Sequence, residues 1–87
     1  MRSTIDLFST KGCVKCEALS MFLSAKGIKY NKRVISDEDP ESETDALMLN
    51  IVAAPALVRD GKVLRTRDIF NSSGHIDEDK VRSFVRE

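Results

Sequence analysis

The chain has 87 residues, 41% of them hydrophobic, and its 14 basic and 14 acidic side chains cancel to a formal net charge of zero. That length predicts one domain over residues 1–87 with a small core. The balanced charge argues against a nucleic acid or an anionic membrane as partner. The opening Met-Arg-Ser-Thr-Ile-Asp holds no apolar signal core, and no apolar run nears membrane-spanning length, so a cytoplasmic location is expected.

In chain order, Thr4–Phe8 is short and rich in β-formers and predicts a first strand. Asp6 interrupts it, reading either as a carboxylate beneath a downstream site or, more simply, as a residue of the solvated sheet edge. Val14, Ala18, Leu19, Phe22, Leu23 and Ala25 then recur at helical spacing, and Gly27 stands where a helix-ending glycine belongs. Tyr30–Ile35 predicts a second strand. Six acids between Asp37 and Asp45 follow, read as a solvated loop and helix start, with a docking patch as the alternative. Asp39-Pro40-Glu41 has the order of a helix start: cap, proline at the first helical position, acid in the first turn. Ala56-Leu-Val58, Asp60-Gly61 and Lys62-Val-Leu64 predict a hairpin. Asp77 caps a last helix, with Ile76 and Val81 at the two staple positions and Val81, Phe84 and Val85 on its buried face. Tyr30 and Phe70 read as packing residues.

The element order is β-α-β-α-β-β-α, which predicts an α/β fold: a mixed four-stranded sheet with helices on both faces. The thioredoxin-like fold is the most compact architecture with that order.

Cys13 and Cys16, the only cysteines, fall between the first strand and the first helix. A structural staple is disfavoured in a reducing cytosol. A metal or iron–sulfur carrier would need a second chain, because two cysteines and one distant histidine do not close a four-ligand site. Residues three apart on a helix share a face, so a disulfide closes without breaking the turn. The unpaired amides at a helix start favour a thiolate. Cys13 is therefore expected to be the exposed nucleophile and Cys16 the shielded resolving thiol of a dithiol exchange cycle. Lys15 either supports the thiolate by charge or is simply solvated, and Val14 offers a small apolar surface to a partner.

Leu7-Phe8-Ser9-Thr10-Lys11-Gly12-Cys13-Val14-Lys15-Cys16, Ala54-Pro55 and Ser73-Gly74 together resemble the glutaredoxin-like redoxins over nearly the whole chain. Within them the chain is most similar to the NrdH-type redoxins, electron donors to ribonucleotide reductase that are re-reduced by thioredoxin reductase. Val14 favours that branch, since glutaredoxins typically carry Pro-Tyr between the cysteines. The resemblance implies Cys13 as nucleophile, Cys16 as resolving thiol and no bound cofactor. It also implies Pro55 as a cis-proline facing the cysteines, with the backbone of Ala54 free to pair with substrate. Gly74 would be the small residue that keeps the approach open. Ser73-Gly74-His75-Ile76-Asp77 departs from the Gly-Gly-Asp pattern that binds glutathione, which speaks against glutathione as partner. His75 stands where NrdH-type redoxins usually carry an aromatic residue.

Overall fold

A computed structural model describes residues 4–86. Its elements are β1 (Asp6–Ser9), α1 (Val14–Ala25), β2 (Asn31–Val34), α2 (Pro40–Met48), β3 (Ala56–Arg59), β4 (Lys62–Leu64), α3 (Thr66–Ile69) and α4 (Glu78–Arg86). The expected strands and three longer helices are present within about two residues of their expected bounds. Only α3 is additional. It is one turn, closed by the Asp68 and Ile69 amides on the Arg65 carbonyl at 2.9 and 3.0 Å, and is too short to show a period.

The strand order is β2-β1-β3-β4, with β1 parallel to β2 and antiparallel to β3, and β3 antiparallel to β4. β1 is therefore central, and both its faces are covered. Alternation along the strands sorts the core into two layers. Leu7 and Leu57 meet Leu19 and Leu23 of α1, Ile69 of α3, and Val81 and Phe84 of α4. Phe8, Ala56 and Val58 meet Ala46 of α2 and Ile51 on the opposite face. Full burial of each of the four leucines contributes about 1.5–3 kcal/mol of transfer free energy.

Local chemistry ends the helices where the strands must begin. After α1, Gly27 takes a left-handed φ of 71°, its amide donates to Ser24 O at 3.1 Å, and the Ile28 amide reaches back to Leu23 O at 2.9 Å. Asn50, with φ 59°, ends α2 in the same way, with Ile51 N donating to Ala46 O at 2.9 Å. Both are helix-ending motifs that return orphan carbonyls to hydrogen bonds.

Asp6 lies on the α2 face and not beneath the cysteines. Its carboxylate is 3.5 Å from Arg33 Nη1, and it accepts from Asn31 Nδ2 at 3.4 Å. The acidic block is likewise more than a solvated run. Arg33 of β2 lays its guanidinium over the Phe8 ring at 5.1 Å. It donates to Asp45 Oδ2 at 2.7 Å and Ser42 Oγ at 2.9 Å, and lies 3.9 Å from Glu41. One strand cation thus pins α2 to the sheet. The sequence displays those charges, but not the strand register and helix placement that bring Arg33 across them.

Asp39 caps α2 by accepting from the Ser42 amide at 3.2 Å and from Ser42 Oγ at 2.7 Å. Those two bonds, the hydroxyl first, hold its carboxyl below the ordinary range, and Arg33 adds to the effect. A depressed native pKa contributes stability that is present above the unfolded value of about 4 and lost as the pH falls through the native one. In urea unfolding, wild type should therefore be more stable than Asp39→Asn at neutral pH. The difference should shrink as the pH falls below the unfolded value of about 4 and through the native one; a gap that is the same at both ends would contradict this assignment.

Candidate functional site

β1 ends at Ser9, and the chain must turn sharply to start α1 a few residues on. Gly12 makes that turn with a φ of 70°, in the region that disfavours any residue with a Cβ. Cys13 is then the N-cap of α1, with extended dihedrals of −92° and 107°. Its sulfur accepts a hydrogen bond from the Cys16 amide at 3.1 Å, and its carbonyl accepts from the Glu17 amide at 3.2 Å. A sulfur occupies the position that a serine or aspartate oxygen fills in an ordinary cap. The helix-start amide is thus aimed at the atom expected to carry negative charge in the reduced protein.

Cys13 and Cys16 are joined as a disulfide with their Cα atoms 5.2 Å apart, within the normal span. Cys13 is half-buried, whereas only 4% of Cys16 is exposed. An incoming sulfur meets Cys13 first. Between them Val14 is 82% exposed, and Lys15 extends its ammonium over the Phe70 ring, 5.3 Å from the centroid. Phe70 is therefore a packing residue with one further contact, to the lysine of the motif.

The segment preceding β3 provides a second wall. The Ala54–Pro55 peptide is cis and Pro55 is buried, its carbonyl accepting from Thr66 Oγ1 at 2.6 Å. Among the described residues the backbone groups of Val52, Ala53 and Ala54 make no hydrogen bond within the chain. Arg65 anchors the same region by donating to Asn50 O at 2.7 Å and Leu49 O at 3.1 Å, across the end of α2. A groove of about 960 Å³ runs between these elements, with Lys15, Val52, Ala53, Thr66 and Phe70 in its lining. A smaller one of about 400 Å³ is lined by both cysteines, with Ser9 and Glu17, whereas neither cysteine lines the larger.

Two expected positions take other settings. Gly74 has a φ of 83° in a loop organised by Asn71, whose Oδ1 accepts from the Ser73 and His75 amides at 2.9 and 3.1 Å. Open space lies where a Cβ would stand, so the visible demand on this glycine is conformational. His75 is exposed, and its carbonyl accepts from the Asn71 amide at 2.8 Å.

Three contributors were not singled out from the sequence. Arg65 and Thr66 act through backbone carbonyls that come near only after folding. Ser9 is fully buried, and its hydroxyl has no protein partner among the described residues. A buried polar group with no partner calls for a cause. Ser9 lines the smaller groove together with Cys13 and Cys16. Its only sequence signal is a serine at the end of an apolar strand. Among the described residues, no group of three or more His, Cys, Asp or Glu side chains is placed to hold a metal ion, and no helix is long and apolar enough to cross a membrane.

Sheet order and helix placement define a thioredoxin-like fold, with a Cys-x-x-Cys pair at the start of α1. Solved structures agree on the fold. The thioredoxin-like protein BC3987 superposes with a TM-score of 0.71 at 17% identity, over 92% of this chain and 97% of that one. A point mutant of the same protein gives 0.70 at 17% identity, over 92% and 96%. The glutaredoxin from Archaeoglobus fulgidus gives 0.68 at 16% identity, over 98% and 88%. No protein-family model and no curated protein sequence matches the chain.

The difference in exposure has a direct consequence. In the fully reduced protein, iodoacetamide should modify Cys13 on the order of tenfold faster than Cys16 or more, with peptide mapping as the readout. Equal labelling would show that the second sulfur is not shielded.

Proposed function

We propose that this chain is a thiol–disulfide oxidoreductase that reduces protein disulfides with its Cys13–Cys16 dithiol. The observation that carries the reading is the pairing of a capped, accessible Cys13 sulfur with a buried Cys16 one turn further along the helix. In the reduced protein the Cys13 thiolate attacks one sulfur of the substrate disulfide. That S–S bond breaks, a mixed disulfide forms on Cys13, and the first substrate thiolate leaves and takes up a proton. Cys16 then loses its proton and attacks Cys13 Sγ, so the mixed disulfide breaks and the second substrate thiol is released. Two electrons have passed to the substrate and the cysteines are joined.

Substrate is held by the unpaired backbone of Val52, Ala53 and Ala54, which offers an edge for a short extended segment. Val14 adds apolar contact beside the nucleophile. Cys-Val-Lys-Cys and the departure from Gly-Gly-Asp at Ser73–Asp77 support a donor to ribonucleotide reductase, and we read that donor as a cytoplasmic monomer. The same features favour thioredoxin reductase over glutathione as the source of electrons, with no bound cofactor.

Insulin reduction tests the chemistry. Cys13→Ser should abolish it, and Cys16→Ser should accumulate a mixed disulfide with the target that mass spectrometry detects. Wild-type activity in Cys13→Ser would rule the mechanism out. NADPH with either thioredoxin reductase or glutathione and its reductase then identifies the donor. Turnover with thioredoxin reductase alone is expected, and turnover with glutathione alone would move the protein to the glutaredoxin side.

A further inference from the structure

The chain is neutral overall, yet the larger groove, which Lys15 of the Cys-x-x-Cys motif lines, is not. Lys15, Arg65 and Arg67 all line it, and no acidic residue does. Each cation is kept from internal neutralisation. Arg65 is held by two backbone carbonyls, at 2.7 and 3.1 Å, and Lys15 lies over the Phe70 ring. Arg67 is exposed and makes no ion pair among the described residues. Elsewhere the strand cation nearest a run of acids, Arg33, is enclosed by three carboxylates. The three groove cations therefore form a positive field with no internal counter-charge, in a cleft of about 960 Å³. That volume far exceeds a single small anion and suits several residues of a peptide. Val52, 92% exposed, lines the same groove and offers apolar contact to the same segment.

Resting on the oxidoreductase reading, we propose that this groove selects protein disulfides whose cysteine lies in an extended segment carrying acidic side chains. Carboxylates flanking the disulfide sit against Lys15, Arg65 and Arg67 while the backbone pairs with Val52–Ala54. The charges steer the encounter and set its register, with the exchange itself carried by the two cysteines.

The test uses three synthetic peptides with one intramolecular disulfide, identical except that two flanking positions are Glu, Gln or Lys. At low salt the reduced wild-type protein should act on the Glu peptide with a kcat/KM about tenfold above the Gln peptide, and on the Lys peptide more slowly still. Near 1 M salt, where the screening length is about 3 Å, the Glu-to-Gln ratio should approach one. Arg67→Glu should bring the low-salt ratio to about one or below, and Lys15→Glu does so from an independent position. Equal kcat/KM for all three peptides, or a ratio unchanged in both variants, would overturn the groove assignment while leaving disulfide reduction standing. Faster turnover of glutathione disulfide than of the Glu peptide would overturn it in favour of a small thiol substrate. Failure to reduce any peptide would remove the oxidoreductase reading, and this inference with it.

Discussion

The hydrogen bond from the Cys16 amide to Cys13 Sγ joins the fold to the chemistry. It exists because α1 starts at a fixed point, and that point is set by three things. β1 is locked between β2 and β3, Gly12 turns the chain, and Leu19 and Leu23 bury one face of the helix against Leu7 and Leu57. Loosening any of them would let the first turn fray. The sulfur would then lose its donor and Cys16 its cover. The core beneath α1 therefore serves the site directly, by holding one amide in place.

Charge is divided between two tasks. On the α2 face, Arg33 collects Asp6, Glu41 and Asp45 and uses its charge to hold a helix to the sheet. Around the larger groove, Lys15, Arg65 and Arg67 face no acid. The same neutral composition therefore yields one region where cations are neutralised and another where they are available. Arg65 is fixed by the carbonyls of Leu49 and Asn50, which carry no net charge, so it stands in the groove wall with its charge available.

Much of this was legible in the sequence, because the signals were local. The helix-ending Gly27, the caps Asp39 and Asp77, the Asp60-Gly61 turn and the Cys-x-x-Cys spacing each depend on a few neighbouring residues. Asp77 does accept from the Lys80 amide, at 3.2 Å, as a cap should. What stayed hidden depends on distant parts of the chain. The roles of Arg33 and Asp6 follow from the register of β2 on β1 and the placement of α2, and those of Arg65 and Thr66 from the path of the backbone past Pro55. Ser9 becomes notable only once its burial leaves a hydroxyl without a partner. α3, a single turn, is shorter than any period that could announce it.

The central claim is that the start of α1 makes Cys13 the nucleophile. The thiolate titration of reduced Cys16→Ser, followed by ultraviolet absorbance, tests it directly, because Cys13 is then the only thiol and the amide of residue 16 remains. A transition below the free-thiol value of about 8.5 is expected, since the helix-start amide favours the charged sulfur. A transition at or above that value would contradict the account.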